Sequence, residues 1–268
     1  MSQKPKPRLG QNFLTDDRAR HAIVDALGDI STRTVVEIGP GHGSLTELLA
    51  GRAHRLIAVE LDPALARELT FRFRSHPNVH IQHADFLETD LRQLAPDARQ
   101  QIDIIGNLPY YITSDILLHL FTASRSAPLH RAVLMMQREV ADRVCAQPGT
   151  RDFGMLSATS QLYSVAQNLF TLPPTAFSPP PDVFSTVLRL EFTARFAELG
   201  VDPTLFEQFL RIAFAQKRKT LANNLRAGGF SDACVRPAWP ASIPPLARAE
   251  SLPLEFLAEL YRALQREA

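Results

Sequence analysis

The feature that most constrains how this chain can fold is an alternation through its first 145 residues, where short β-branched runs take turns with helix-like segments. Strands are predicted at Thr34–Ile38, Arg55–Glu60, Val79–Gln82, Ile102–Ile105 and Ala132–Met136. Helical patterns surround them. Asp16 to Leu27 places Ala19, Ile23, Val24 and Leu27 at helical spacing, and Ser44 to Gly51 follows a glycine-rich turn. Asp62 and Pro63 make a cap and first turn, and Ile112 to Phe121 completes the set. Such alternation with short links predicts an α/β fold, a parallel doubly wound sheet covered on both faces.

Beyond residue 145 the rhythm changes. Leu162 to Leu172 and Val183 to Phe192 read as two strands joined by a stiff loop set by Pro173, Pro174, Pro179, Pro180 and Pro181. From Asp202 onward the pattern is helical, with Asp202-Pro203 capping a helix that puts Leu205, Phe206, Phe209, Leu210, Ala213 and Phe214 on one side. The boundary is placed in 193–202, giving a catalytic domain over residues 1–195 and a small all-helical domain over 196–268.

No apolar run approaches the roughly 20 residues that a membrane span requires, and the N-terminus lacks a secretory apolar stretch. Cys145 and Cys234 have neither metal-ligand nor redox spacing. A cytoplasmic protein is expected. The net charge of +1 announces no polyanionic partner, but the cations are clustered. Lys4, Lys6 and Arg8 lie in an acid-free stretch, and so do Arg211, Lys217, Arg218, Lys219 and Arg226. These suggest local anion-binding faces. A solvated tail and a solvated helix end would look the same.

Gly39, Gly41 and Gly43 follow a predicted strand and open a predicted helix, a turn that brings backbone N–H groups close to a ligand. Glu60 ends the next strand, where a carboxylate can accept both hydroxyls of a ribose, and Asp85 follows the third, within reach of an adenine amine. Together they describe a nucleoside-cofactor site at the carboxyl ends of parallel strands. A nicotinamide enzyme would also use a glycine turn and an acid, though commonly as G-x-G-x-x-G, whereas the spacing here is G-x-G-x-G. The choice of S-adenosylmethionine rests on the next motif.

Asn107-Leu108-Pro109-Tyr110 follows the strand at Ile102–Ile105. An adenine amine is a poor nucleophile because its lone pair is delocalised into the ring. Two acceptors for its N–H groups, the Asn107 amide oxygen and the Leu108 carbonyl, can hold the nitrogen pyramidal and aim the lone pair. Pro109 sets the bend and Tyr110 can stack on an extruded base.

With these motifs the chain resembles the ribosomal RNA adenine dimethylases, most closely the bacterial branch acting on small-subunit (16S) rRNA. The resemblance runs end to end. It is carried by Leu9-Gly10-Gln11-Asn12-Phe13-Leu14, Val36-Glu37-Ile38-Gly39-Pro40-Gly41 and Asn107-Leu108-Pro109-Tyr110. It continues through Pro174-Thr175-Ala176-Phe177-Ser178-Pro179-Pro180-Pro181, Phe214 to Leu221 and Arg248-Ala249-Glu250.

The resemblance implies a Rossmann-like class I methyltransferase fold. The implied activity is S-adenosyl-L-methionine-dependent N6,N6-dimethylation of two adjacent adenosines in a hairpin near the 3′ end of 16S rRNA, during small-subunit biogenesis. It implies Asn12 and Leu14 as a lid over the cofactor, and Gly39, Gly41, Glu60, Asp85 and Asn107 as cofactor contacts. Phe177 would be a second aromatic against the base held by Tyr110. Lys4, Lys6, Arg8, Lys217, Arg218 and Lys219 would contact phosphates and fix register. The partner would be 16S rRNA or the assembling subunit, with no metal, and the protein a monomer. Departures are Leu9 where the family often has an aromatic, Lys217 where it often has arginine, and Phe153 where tyrosine is common. Competing readings are a large-subunit dimethylase of the antibiotic-resistance type, an assembly factor without turnover and, more remotely, an NAD oxidoreductase.

Overall fold

The computed structural model describes residues 12–94 and 100–267, apart from the Glu267 side chain. Lys4, Lys6, Arg8 and the Leu9-Gly10-Gln11 stretch lie outside the described residues. The strands are β1 (Phe13–Leu14), β2 (Thr34–Ile38), β3 (Arg55–Glu60), β4 (Val79–His83), β5 (Ile102–Asn107), β6 (Leu129–Gln137), β7 (Ser164–Leu172), β8 (Phe177–Ser178) and β9 (Ser185–Phe192). Seven of them form a sheet in the order β4-β3-β2-β5-β6-β9-β7, while β1 and β8 pair separately and antiparallel.

The chain runs outward from β2 through β3 to β4, then returns to lay β5 on the other side of β2. That reversal makes a crevice at the carboxyl ends of β2 and β5, the usual ligand position in open parallel sheets. β2 is buried at every residue, and β5 at every residue but the last, which is why their sequences run apolar instead of alternating. The two strands approach so closely that a Cβ on Gly106 would lie 2.8 Å from the Ile38 carbonyl oxygen. β9 adds antiparallel to β6, with Gln137 opposite Ser185.

Helix starts follow the predicted caps. Asp16 accepts from Ala19 N–H ahead of Asp17–Asp25, Asp62 from Ala64 and Leu65 ahead of Pro63–Arg72, and Asp202 from Leu205 ahead of Pro203–Ala213. Each such cap contributes about 1 kcal/mol. One prediction is corrected: Leu162 and Tyr163 end a helix, Met155–Tyr163, and the strand begins at Ser164. Both side chains are fully buried, and a short buried apolar run carries no period that tells helix from strand.

The chain separates into two compact units. The larger comprises residues 1–141 and 167–192, the smaller 142–166 and 193–268. In the smaller unit Met155–Tyr163 packs on Pro203–Ala213 and Leu254–Glu267. Its centre is aromatic, with the Phe206 ring centroid 5.3 Å from Tyr261 and 5.9 Å from Phe209. Asn224, 1% exposed, donates to the carbonyls of Ala213 and Gln216 and so holds the turn that carries residues 217–219.

Candidate active site

One cavity opens at the carboxyl ends of β2, β3 and β5, and Asn12, Leu14, Gly39, Gly41, Glu60, Asp85, Asn107, Leu108 and Tyr110 all line it. The turn after β2 bends through Gly39 and Gly41 at φ of 60° and 59°, a region that L side chains rarely adopt. At Gly41 a Cβ would also meet the Phe13 ring at 2.9 Å. Glu60, 3% exposed, accepts from Gly41 N–H at 3.0 Å through Oε2 and from Asp62 N–H at 2.8 Å through Oε1. Its charge therefore holds the glycine turn, and each oxygen keeps a lone pair for a further donor. Asp85 caps a short 3-10 turn through Oδ1, donated to by Leu87 N–H at 2.9 Å.

Asn107 ends β5 with its amide orientation set from far along the chain: Nδ2 donates to the Asn12 carbonyl at 2.8 Å, across 95 residues. Its Oδ1 is thus the amide's acceptor, and among the described residues none donates to it or to the Leu108 carbonyl. Leu108 N–H donates to Met135 O at 2.9 Å, which anchors the bend, and the side chain is 1% exposed. Tyr110 is half-buried, its hydroxyl 2.7 Å from Ser185 Oγ. Burial raises the phenol above its ordinary range, with the Ser185 bond opposing.

Phe177 is placed elsewhere. It does not line the cavity; it is 4% exposed in the core cluster with Leu14, its partner across the β1–β8 pair, and Ile23. The physical reason is the pairing itself, which turns an apolar ring toward a hydrophobic interior. Of the basic run, Lys217, Arg218 and Lys219 are exposed, and Lys217 Nζ donates to the Arg151 carbonyl at 2.6 Å.

Sequence reasoning missed four residues of the cavity or its support. Phe13 covers the glycine turn, Ser185 steadies Tyr110, and Tyr111 presents a 60% exposed ring at the cavity. The fourth is Glu37, 2% exposed, whose signal was an acid inside a buried strand. Burial pushes its carboxyl up to about 7; the Thr46 hydroxyl, 2.7 Å from Oε2, opposes this and the Glu60 charge adds to it.

An acid whose folded value lies above its unfolded one stabilises the fold fully below the unfolded value, here 4.5, and loses that contribution as pH rises through about 7. The wild-type urea midpoint should therefore fall relative to that of Glu37→Gln across this window and run parallel to it above. Parallel profiles throughout would remove Glu37 as the cause.

The profile of a family described as ribosomal RNA adenine dimethylase matches residues 2–239. A ribosomal RNA small subunit methyltransferase A of Acidobacterium capsulatum is 54% identical over 266 residues, 99% of this chain and 93% of that protein. Its counterpart in Koribacter versatilis is 51% identical over 273 residues, covering 97% and 95%. A solved dimethyladenosine transferase from Plasmodium falciparum matches with TM-score 0.77 at 22% identity, covering 95% of this chain and 98% of that one. The 23S rRNA methyltransferase ErmE matches with TM-score 0.70 at 24% identity, covering 95% and 100%. At those identities the two structures speak for the fold alone.

Proposed function

Because the chain belongs to the ribosomal RNA adenine dimethylase family, we propose that it dimethylates N6 of two adjacent adenosines in a hairpin near the 3′ end of 16S rRNA, with S-adenosyl-L-methionine as methyl donor. The observation that carries this reading is the orientation of Asn107, whose Oδ1 is left as acceptor beside the Leu108 carbonyl in a cavity that also holds Glu60 and Asp85. The same reading makes the protein a cytoplasmic monomer whose partner is 16S rRNA or the assembling small subunit. Among the described residues no helix is long and apolar enough to cross a membrane.

The residues fit a nucleoside-bearing donor. A Cβ built on Gly39 meets nothing within 4 Å, so the turn leaves open space over its backbone. Glu60 would take the ribose hydroxyls, Asp85 the adenine amine, and Asn12 and Leu14 would cover the site. When bound, S-adenosylmethionine supplies an electrophilic methyl group on a positively charged sulfur.

The chain's own contribution is orientation. Asn107 Oδ1 and the Leu108 carbonyl accept the two N–H groups of the target amine and direct its lone pair, while Tyr110, steadied by Ser185, offers a ring face to the extruded base. After one methylation a single N–H remains. One acceptor then loses its partner, and the pocket must admit a methyl where a hydrogen was. The surplus proton of the product ammonium leaves to solvent.

Methyl transfer from radiolabelled S-adenosylmethionine to small subunits lacking these methyls, followed by nucleoside analysis, tests the proposal. Dimethyladenosine in 16S rRNA is the expected product. Incorporation only into large-subunit RNA would reassign the substrate. Neutralising Lys217, Arg218 and Lys219 together should lower RNA affinity and flatten its dependence on salt, by about 0.7–0.9 in log–log slope per lost phosphate contact. An unchanged slope would show that these side chains face solvent in the complex.

A further inference from the structure

Two tyrosines follow Pro109 in direct succession, and the fold treats them differently. Both line the cavity at the carboxyl ends of the strands. Tyr110 is half-buried and its hydroxyl is tied to Ser185 at 2.7 Å. Tyr111 is 60% exposed, and among the described residues no hydrogen bond, ion pair or ring contact engages its side chain. A lone exposed aromatic is ordinary on a protein surface. At the rim of a cavity that must take an unstacked base, the same open ring is a platform for another base, because every base has a face that stacks on an aromatic.

The local backbone decides which base that is. Tyr110–Ile112 is a 3-10 turn, pinned where Ile112 N–H donates to the Pro109 carbonyl at 3.2 Å and the Thr113 hydroxyl to the same oxygen at 3.0 Å. With three residues per turn, successive side chains leave the axis about 120° apart. The two rings therefore diverge, and one flat base cannot lie on both. A base seated against Tyr110, with its amine at Asn107 Oδ1 and the Leu108 carbonyl, leaves Tyr111 unused. Drawing that nucleotide out of its stack strips the next one of a stacking partner, which costs free energy. The stranded base is tethered one phosphodiester away, as Tyr111 is one peptide away from Tyr110, and a ring that receives it offsets the cost.

We propose that the Tyr111 ring stacks on the base adjoining the target, holding it out of the RNA stack while the target occupies the Tyr110 position. The inference rests on the reading of RNA as substrate, and it gives the site a preference for a target with an unpaired neighbour. It is tested with an end-labelled hairpin RNA whose loop holds one adenosine as target, and with two copies in which the 5′ or the 3′ neighbour of that adenosine is abasic. All three are titrated at low salt by fluorescence anisotropy against the wild type, Tyr111→Phe, which keeps the ring, and Tyr111→Leu, which keeps apolar bulk without a flat face. Thermal unfolding checks folding, and Tyr111→Ala replaces the leucine variant if that one does not fold.

Removing one of the two neighbouring bases should weaken wild-type binding by about tenfold, the worth of one base stacked on an aromatic ring. Tyr111→Phe should show the same loss, and Tyr111→Leu less than about a twofold one, since the ring that received the base is gone. A wild type indifferent to both abasic positions, a loss that persists in Tyr111→Leu, or no wild-type binding to the intact hairpin overturns the proposal. Calorimetric titration with S-adenosylhomocysteine adds a second readout: Tyr111→Leu should bind it as the wild type does, and a loss there as large as the loss for RNA would assign the ring to the cofactor and overturn the proposal as well. Methyl transfer to small subunits, measured in parallel, separates the two failures. Transfer without the neighbour effect overturns this inference alone, and no transfer overturns the reading beneath it.

Discussion

Replacing Asn107 by alanine should lower the single-turnover rate of methyl transfer by about a thousandfold, the scale seen when one preorganised hydrogen-bonding group is removed from a reacting centre. The substitution removes Oδ1, one of two acceptors proposed for the target amine, and it also removes the Nδ2 donation to the Asn12 carbonyl. RNA affinity should change by less than about threefold, since the exposed cations proposed to contact phosphates are untouched. Asn107→Asp separates the two losses. It keeps an acceptor but turns a carboxylate toward the Asn12 carbonyl, so it should retain more activity than alanine and bind the cofactor less well than the wild type. Filter binding beside single-turnover transfer decides the matter. A fall in RNA affinity as large as the fall in rate would refute the division between orientation and binding.

At the other end of β5, Asp103→Ala should destabilise the protein by about 3 kcal/mol, within the range for removing one partner of a buried ion pair. Asp103 is fully buried. Its Oδ1 lies 2.8 Å from His130 Nδ1, and both oxygens lie 3.2 Å from Arg33 Nη1, which also contacts His130. The Arg33 and His130 side chains are 25% and 23% exposed, so water relieves part of the stranded charge and the low end of the range applies. Asp103 sits four residues before Asn107 on one strand, about 13 Å away. The folded variant should therefore keep its methyl-transfer rate. Urea unfolding measures the first quantity, and a loss under about 1 kcal/mol would mean that the three side chains are not energetically coupled.

Much of the larger unit was legible because its information is local. β2 and β3 have the predicted limits, and the glycine turn, Glu60, Asp85 and Asn107 were each placed at a strand end by their position in the alternation. Local rules also located the caps at Asp16, Asp62 and Asp202. They failed at Leu162 and Tyr163, where a helix runs directly into a strand without a breaking residue.

What the sequence by itself determined is the order of elements, the acids and glycines at strand ends, and through them the family. What only the tertiary structure decided is which way particular groups face. Phe177 and Tyr110 are both aromatics within two residues of a proline, yet pairing with β1 sends one into the core while Ser185 holds the other at the cavity. The Asn107 amide is oriented by a carbonyl 95 residues away, and the glycine turn is held by Glu60 from the end of the neighbouring strand. The physical reason is range. Periodicity and capping are set by neighbours within a turn or two of the chain, whereas the facing of a polar group depends on partners brought together by sheet order and packing.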